Sequence, residues 1–356
     1  MRGRAWLLYL AGVALVTSVY LFGPAALNSG PVFNLIGASG IVAIALGSRL
    51  NRAHRRLPWY LLAAGQAMFV LGDILGYNYV RFFGAEPTFP SVVDPVYLSV
   101  YPLAVAGLLI LIHQRTPTRD KASLIDSLII AVGVGALSWV FLIAPQAQDG
   151  SLPLLTKLTS ISYPVMDLLL LGIAIRLAVG GGRRGTSFYL LVGGAGALFA
   201  TDSVYGWLLL HGGYETGAIL DAGWILFYAL WGAAALHPSM RSLAEPALEP
   251  DQRLTPRRLV LLAGATIIPS AVVIVQYLLG QESNVLVLAG SSVLLFSLVL
   301  SRMAGLVHRN ERTVAREKAL REAGAALVTA TSREGIYAAT MKATRALVGG
   351  PRATLL

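Results

Sequence analysis

The sequence predicts an all-α polytopic membrane protein with about ten transmembrane helices. Three observations carry this. Hydrophobic residues make up 56% of the 356 residues and charged ones only 13%, about half the share near 25% that covers a soluble surface. Apolar runs of about 20 residues, the length that crosses a bilayer as a helix, recur along the whole chain up to Arg302. Finally, Lys and Arg gather in alternate connections between those runs, the pattern left when positive residues resist translocation.

The first run, 5–22, follows Arg2 and Arg4; it is longer than a secretory signal core and lacks a small-x-small cleavage site, so it reads as a retained anchor. The second, 32–48, opens behind Pro31 and closes at Arg49. The third, 59–79, begins past Arg55, Arg56 and Pro58, and the fourth, 95–113, begins at Asp94-Pro95, a helix cap with Pro at the first helical position. Then come 123–143 behind Lys121, 157–176 ending at Arg176, 187–210 behind a glycine-rich basic loop, and 218–236 before His237-Pro238. The last two, 259–279 and 285–306, follow Arg257-Arg258 and the polar stretch from Gln281 to Asn284.

With the N-terminus inside, every Lys and Arg except Arg81 and Lys157 falls on the inner side, so both termini are expected in the cytoplasm. The net charge of +10 is thereby a topology signal. It makes the lipid bilayer the expected partner and argues against nucleic acid. Zero cysteines exclude a disulfide framework, Fe–S clusters and thiolate zinc sites.

Two stretches, 71–111 and 200–236, each read as a helix pair with one Asp per helix. Asp73 and Asp202 are 129 residues apart and Asp94 and Asp221 are 127 apart, a nearly constant offset that points to a parallel duplication of about four helices. Chance similarity among Leu-, Ala- and Gly-rich helices is the alternative.

All nine Glu lie in loops or the tail, whereas Asp73, Asp94, Asp126, Asp167, Asp202 and Asp221 lie in or at the edge of spans. A carboxylate deep in a bilayer costs about 2.5 to 3.5 kcal/mol on insertion scales, so it turns to the bundle interior, a partner or a water-filled cavity. Asp94, Asp126 and Asp221 are placed as helix caps or edges. Asp73, Asp167 and Asp202 are deeper, with Tyr77, Asn78, Tyr163 and Tyr205 nearby. They form either hydrogen-bonding glue in a polar core or a site for an unknown small ligand, ion or proton.

Five isolated histidines at span edges lack the spacing of a metal pair, and no metal or cofactor is implied. Gly180, Gly181, Gly182 and Gly185 are not followed by the Lys and hydroxyl residue of a nucleotide-binding loop. Gly72 and Gly76 form a GxxxG around Asp73 that allows close helix packing. Pro102, Pro164 and Pro269 lie within spans as candidate kinks. No nucleophile, base and oxyanion set occurs, so the chain itself is not expected to be an enzyme.

From Arg302 the composition becomes charged without a Pro or Gly-rich break, and Leu306, Thr313, Leu320 and Leu327 recur every seven residues. That spacing predicts a short, marginal parallel coil and hence a homodimer through the cytoplasmic helix; a solvated amphipathic tail is the alternative. Glu311-Arg312-Thr313 resembles the ERT signature of signalling helices that join sensors to output domains. The following segment is similar to the start of a GAF domain, with a second helix ending at Gly349 and Gly350 and a first strand near Arg352. The expected organisation is a ten-helix sensor domain over 1–306, a signalling helix over 307–330, and the start of a truncated α/β GAF domain over 331–356, with the chain continuing beyond Leu356.

With its Asp94-Pro95-x-Tyr97 and Ser162-Tyr163-Pro164-x-x-Asp167 motifs, the chain from about residue 30 resembles the membrane sensor region of actinobacterial GGDEF/EAL proteins, which make or degrade cyclic di-GMP. The resemblance implies a multi-pass protein of the bacterial inner membrane that relays a signal to cytoplasmic output. The longer protein would then be a diguanylate cyclase or phosphodiesterase. No GGDEF or EAL sequence is present in this chain. A ten-span secondary transporter and the membrane sensor of a histidine kinase are the alternatives.

Overall fold

A computed structural model of the chain describes residues 4–53, 55–115, 120–215, 217–245, 255–280, 284–329 and 332–348. Helices follow the apolar runs: α1 (Ala5–Phe22), α2 (Gly30–Leu50), α3 (Leu57–Tyr77), α4 (Asp94–Arg115), α5 (Lys121–Gln148), α6 (Leu154–Val179), α7 (Thr186–His211), α8 (Asp221–Leu236), α9 (Pro256–Leu278), α10 (Val285–Thr329) and α11 (Arg333–Val348). Among the described residues, nine of these helices are long and apolar enough to cross a membrane. The eighth expected span, α8, is an apolar helix of 16 residues. It starts at Asp221 rather than 218 because the turns before it deliver the Gly217 amide to the Asp221 carboxylate. No strand occurs among the described residues, and the expected GAF strand near Arg352, like Gly349 and Gly350, lies outside them.

Two compact units are present, Met1–Phe296 and Ser297–Leu356. The expected boundary at residue 306 falls inside the single helix α10.

Within the first unit, α2, α3, α4, α6, α7 and α8 pack as a closed ring in that order, with α8 returning to α2. α1 lies against α8, α5 against α6, and α9 against α5. Each half of the ring therefore takes three helices consecutive around it, and the paired stretches of the sequence are α3 with α4 and α7 with α8. The ring interior is filled by large side chains, among them Trp59, Leu62, Leu108, Phe227 and Trp231. The outer faces stay apolar and exposed, as at Leu8 (70%), Leu35 (68%) and Leu286 (90%). A surface of that kind suits lipid and would aggregate in water.

Local sequence explains the irregularities. α4 breaks at Ser99, between Asp94–Leu98 and Val100–Arg115. Pro102 lacks the N–H that would bond the Leu98 carbonyl, and its ring crowds that oxygen. Likewise α5 passes through a π-helical turn at Trp139–Ile143, just before Pro145, where the missing amide makes a wider turn the cheaper solution. Pro164 and Pro269 lie inside helices that continue past them.

Close approach of backbones depends on small residues. A Cβ on Gly47 would lie 2.4 Å from the Ala235 carbonyl carbon and oxygen. Beyond this contact the Asn51 amide donates to the Ala235 and Leu236 carbonyls at 2.9 and 3.1 Å, closing orphan carbonyls at the end of α8.

Gly47→Val should therefore separate α2 from α8 and cost about 1 to 3 kcal/mol, whereas Gly264→Ala, with nothing within 4 Å of its added Cβ, should be neutral. Thermal unfolding of the purified variants in lipid nanodiscs checks this, and equal midpoints for the two would contradict the packing.

Candidate functional site

Asp94 opens α4, with Tyr97 three residues on and Tyr101 seven residues on. Asp221 opens α8, with Trp224 and Tyr228 at the same steps. Residues at i, i+3 and i+7 share one helix face, so each helix turns a carboxylate and two aromatic donors to the same side.

The donors reach carboxylates in a matched way. At the i+3 position, the Tyr97 hydroxyl donates to Asp73 on α3 at 2.9 Å and the Trp224 indole N–H donates to Asp202 on α7 at 2.7 Å. At i+7, the Tyr101 hydroxyl donates to Asp167 on α6 at 2.8 Å and the Tyr228 hydroxyl donates to the second Asp73 oxygen at 2.9 Å. The opening aspartates are also occupied. Asp94 accepts from the Tyr163 hydroxyl at 2.7 Å and from the Ser91 amide at 2.6 Å. Asp221 accepts from Tyr20 on α1 at 2.5 Å, from the Gly217 amide at 2.9 Å, and from the Tyr214 hydroxyl. Tyr214 lies in the loop before α8, where burial and then Asp221 push its phenol above the ordinary value, so it remains a donor.

The carboxyl groups of Asp167 on α6 and Asp202 on α7 are neighbours in the layer. Tyr101 stands on one flank and Trp224 on the other. Asp73, Asp94, Asp167 and Asp221 are all buried. The resulting layer of carboxylates and aromatic donors joins α1, α3, α4, α6, α7 and α8. From α2, Phe33 packs its ring edge-on to Tyr228 with centroids 6.1 Å apart.

The expected residues separate accordingly. Asp73, Asp167, Asp202 and Tyr163 belong to the layer, and so do Asp94 and Asp221, whose roles extend beyond capping. Tyr205 packs its ring on Tyr214 and Trp224 with centroids 5.1 and 5.4 Å away. Tyr77 packs its ring edge-on to Phe33 of α2, with centroids 6.3 Å apart. Asn78 is outside the layer: its amide donates to the Ile74 carbonyl of its own helix at 2.9 Å. Asp126, expected as a helix cap or edge, lies in the second turn of α5, fully buried and ion-paired with Arg258 of α9. The cap of α5 is Asp120, which accepts from the Ser123 amide at 3.1 Å and from its hydroxyl. Gly72 permits the layer directly, since a Cβ there would meet the Tyr97 ring at 2.5 Å.

Tyr20, Tyr101, Tyr214, Trp224 and Tyr228 were not singled out from the sequence. The shared spacing in Asp94-x-x-Tyr97-x-x-x-Tyr101 and Asp221-x-x-Trp224-x-x-x-Tyr228 is the signal that finds three of them; Tyr20 and Tyr214 carry none. In the second unit, Glu311, Arg312, Thr313, Leu306 and Leu320 lie on α10, with Thr313 and Leu320 exposed. The side chain of Leu327 lies outside the described residues. Among the described residues, no three His, Asp or Glu side chains come together to hold a metal ion.

Comparison with family models, characterised proteins and solved structures finds no match for the chain.

Tyr228→Phe should cost about 1 kcal/mol, within the range for hydrogen bonds between membrane helices, because it strips one of two donors from a buried carboxylate. Asn78→Ala should stay within about 0.5 kcal/mol of the parent, as surface changes do. Reversible unfolding in bicelles gives both numbers, and an equal loss would dissolve the distinction between the two sites.

Proposed function

We propose that this chain is the membrane sensory module of a signalling protein, in which helix packing around the carboxylate and aromatic layer responds to a stimulus and α10 carries the change to cytoplasmic output. The continuity of α10 carries the reading: one helix of 45 residues contains both the last apolar span and the charged stretch with Glu311-Arg312-Thr313. A helix without a break transmits a rotation or shift along its length, and a break near residue 306 would have absorbed it. The heptad spacing favours a parallel homodimer, whose marginal stability suits switching. The Lys and Arg distribution favours cytoplasmic termini. Cyclic di-GMP synthesis or degradation by GGDEF or EAL domains is the output that the resemblance supports, and a histidine kinase core would use the same linker.

A secondary transporter is the second reading. One observation favours it: two neighbouring carboxyl groups, Asp167 and Asp202, stand on adjacent helices of the same ring. Against it stand the parallel repeat and a signalling helix with no transport role.

The chain has no cysteine, so single cysteines report without background. Leu306→Cys, Thr313→Cys and Leu320→Cys should cross-link in native membranes several-fold more than Ala315→Cys and Glu322→Cys, which fall opposite the heptad seam. Arg4→Cys and Ser332→Cys should be labelled by an impermeant maleimide only after the cells are opened. Uniform cross-linking would remove the dimeric relay, and labelling in intact cells would reverse the orientation. Dissipation of a pH gradient by reconstituted chain, lost in Asp202→Asn, would replace the sensor by the transporter.

A further inference from the structure

The glycine-rich loop between α6 and α7 is fixed in place from below. Arg115, the last residue of α4, is 2% exposed. It donates from Nε to the Gly181 carbonyl at 2.6 Å and from Nη2 to the Arg183 carbonyl at 2.7 Å, and it lies over the Phe188 ring at 4.9 Å. Its Nη1 is buried with no hydrogen-bond partner among the described residues. The loop is thus braced on a buried cation, and Gly182 supplies the positive φ of 109° that turns the chain there.

This brace presents the next two residues to an open cavity of about 520 Å³, lined by Arg183, Arg184, Ser239, Arg241, Ser242 and Glu245. Gly185 forms part of the wall, and a Cβ on it would meet the Ser239 side chain at 2.7 Å. The Ser239 hydroxyl accepts from the Ser187 amide in the first turn of α7 at 3.0 Å. Arg241 is held by donating from Nε to the Asn51 carbonyl. Among the described residues, none of the three cavity guanidiniums is ion-paired with a carboxylate. Three cations converge with hydroxyls and a helix N-terminus, and one carboxylate cannot neutralise them.

We infer that this cavity binds a phosphate-bearing anion, and that its source is the headgroup of an anionic phospholipid. Arginine forks match phosphate oxygens, the amide end of α7 adds positive potential, and basic pockets between transmembrane helices capture lipid headgroups. The cavity sits between the ends of α6, α7 and α8, where helices that cross a bilayer reach its interface. This site is separate from the carboxylate layer and holds whether that layer senses or transports.

The test uses the full chain in nanodiscs of phosphatidylcholine doped with phosphatidylglycerol, with bound lipid counted by native mass spectrometry after release. The chain should retain phosphatidylglycerol over phosphatidylcholine, and Arg183→Gln, Arg184→Gln and Arg241→Gln together should reduce retention by about fivefold per guanidinium. Arg55→Gln with Arg56→Gln, which removes charge outside the cavity, should leave retention unchanged. Displacement of the lipid by millimolar inorganic phosphate would keep the anion site and name a free oxyanion as its occupant. Equal losses in the two sets of variants, or no preference in the parent chain, would overturn the site. Gly185→Leu, which fills the wall without altering charge, should also reduce retention; if it does not, the anion is held elsewhere.

Discussion

Hydrogen bonding of carboxylates inside an apolar bundle is the constraint on which the rest of the first unit depends. Helices gain little from burying Leu against Leu in lipid, because lipid tails are equally apolar. Close packing and polar contacts must supply the preference for one arrangement. Here five aspartates each take at least one tyrosine or tryptophan donor from another element, and the donors come from α1, α4, α6, α8 and the loop before α8. Removing α4 or α8 would leave two carboxylates short of a donor at once, and a buried unsatisfied group costs about 1 to 3 kcal/mol. The ring behaves as a unit for this reason.

Aromatic donors suit the task better than Lys or Arg would. A phenol or indole gives one directed hydrogen bond, fills volume within the bundle, and brings no charge of its own to be solvated. The exception marks the contrast. Asp126 is paired with Arg258 at the start of α9, and both are buried, so this carboxylate meets a cation instead of an aromatic donor. The Asp167–Asp202 pair adds a feature that the other aspartates lack, two neighbouring carboxyl groups on adjacent helices. A change there would alter contacts on α4, α6, α7 and α8 together, which is how a local event becomes a change in helix packing.

Much of this was legible in the sequence because membrane segments are marked by length and composition alone. The runs at 5–22 and 187–210 coincide with α1 and α7 to within a residue. A boundary slipped where hydropathy does not decide: α8 begins at Asp221 because a turn feeds that carboxylate, whereas the expected run of the last span into a charged helix without a break is the single helix α10. The deep aspartates were identifiable as polar-core residues by their cost in lipid. Their partners were less so. Tyr97 and Tyr163 stood in motifs, but Tyr20 lies 201 residues from Asp221, and no local pattern connects them. Asn78 looked equivalent to a site residue by proximity to Asp73, yet it turns back on its own helix.

The central claim is that the layer couples its helices energetically. A double-mutant cycle across the Asp167–Asp202 pair, Tyr101→Phe with Trp224→Phe, measured by reversible unfolding in bicelles, tests it most directly. The two hydrogen bonds are on different carboxyl groups and are linked only through the contact of Asp167 with Asp202. A coupling energy of about 0.5 kcal/mol or more is the result for a connected layer, and additivity within about 0.3 kcal/mol would show two independent hydrogen bonds.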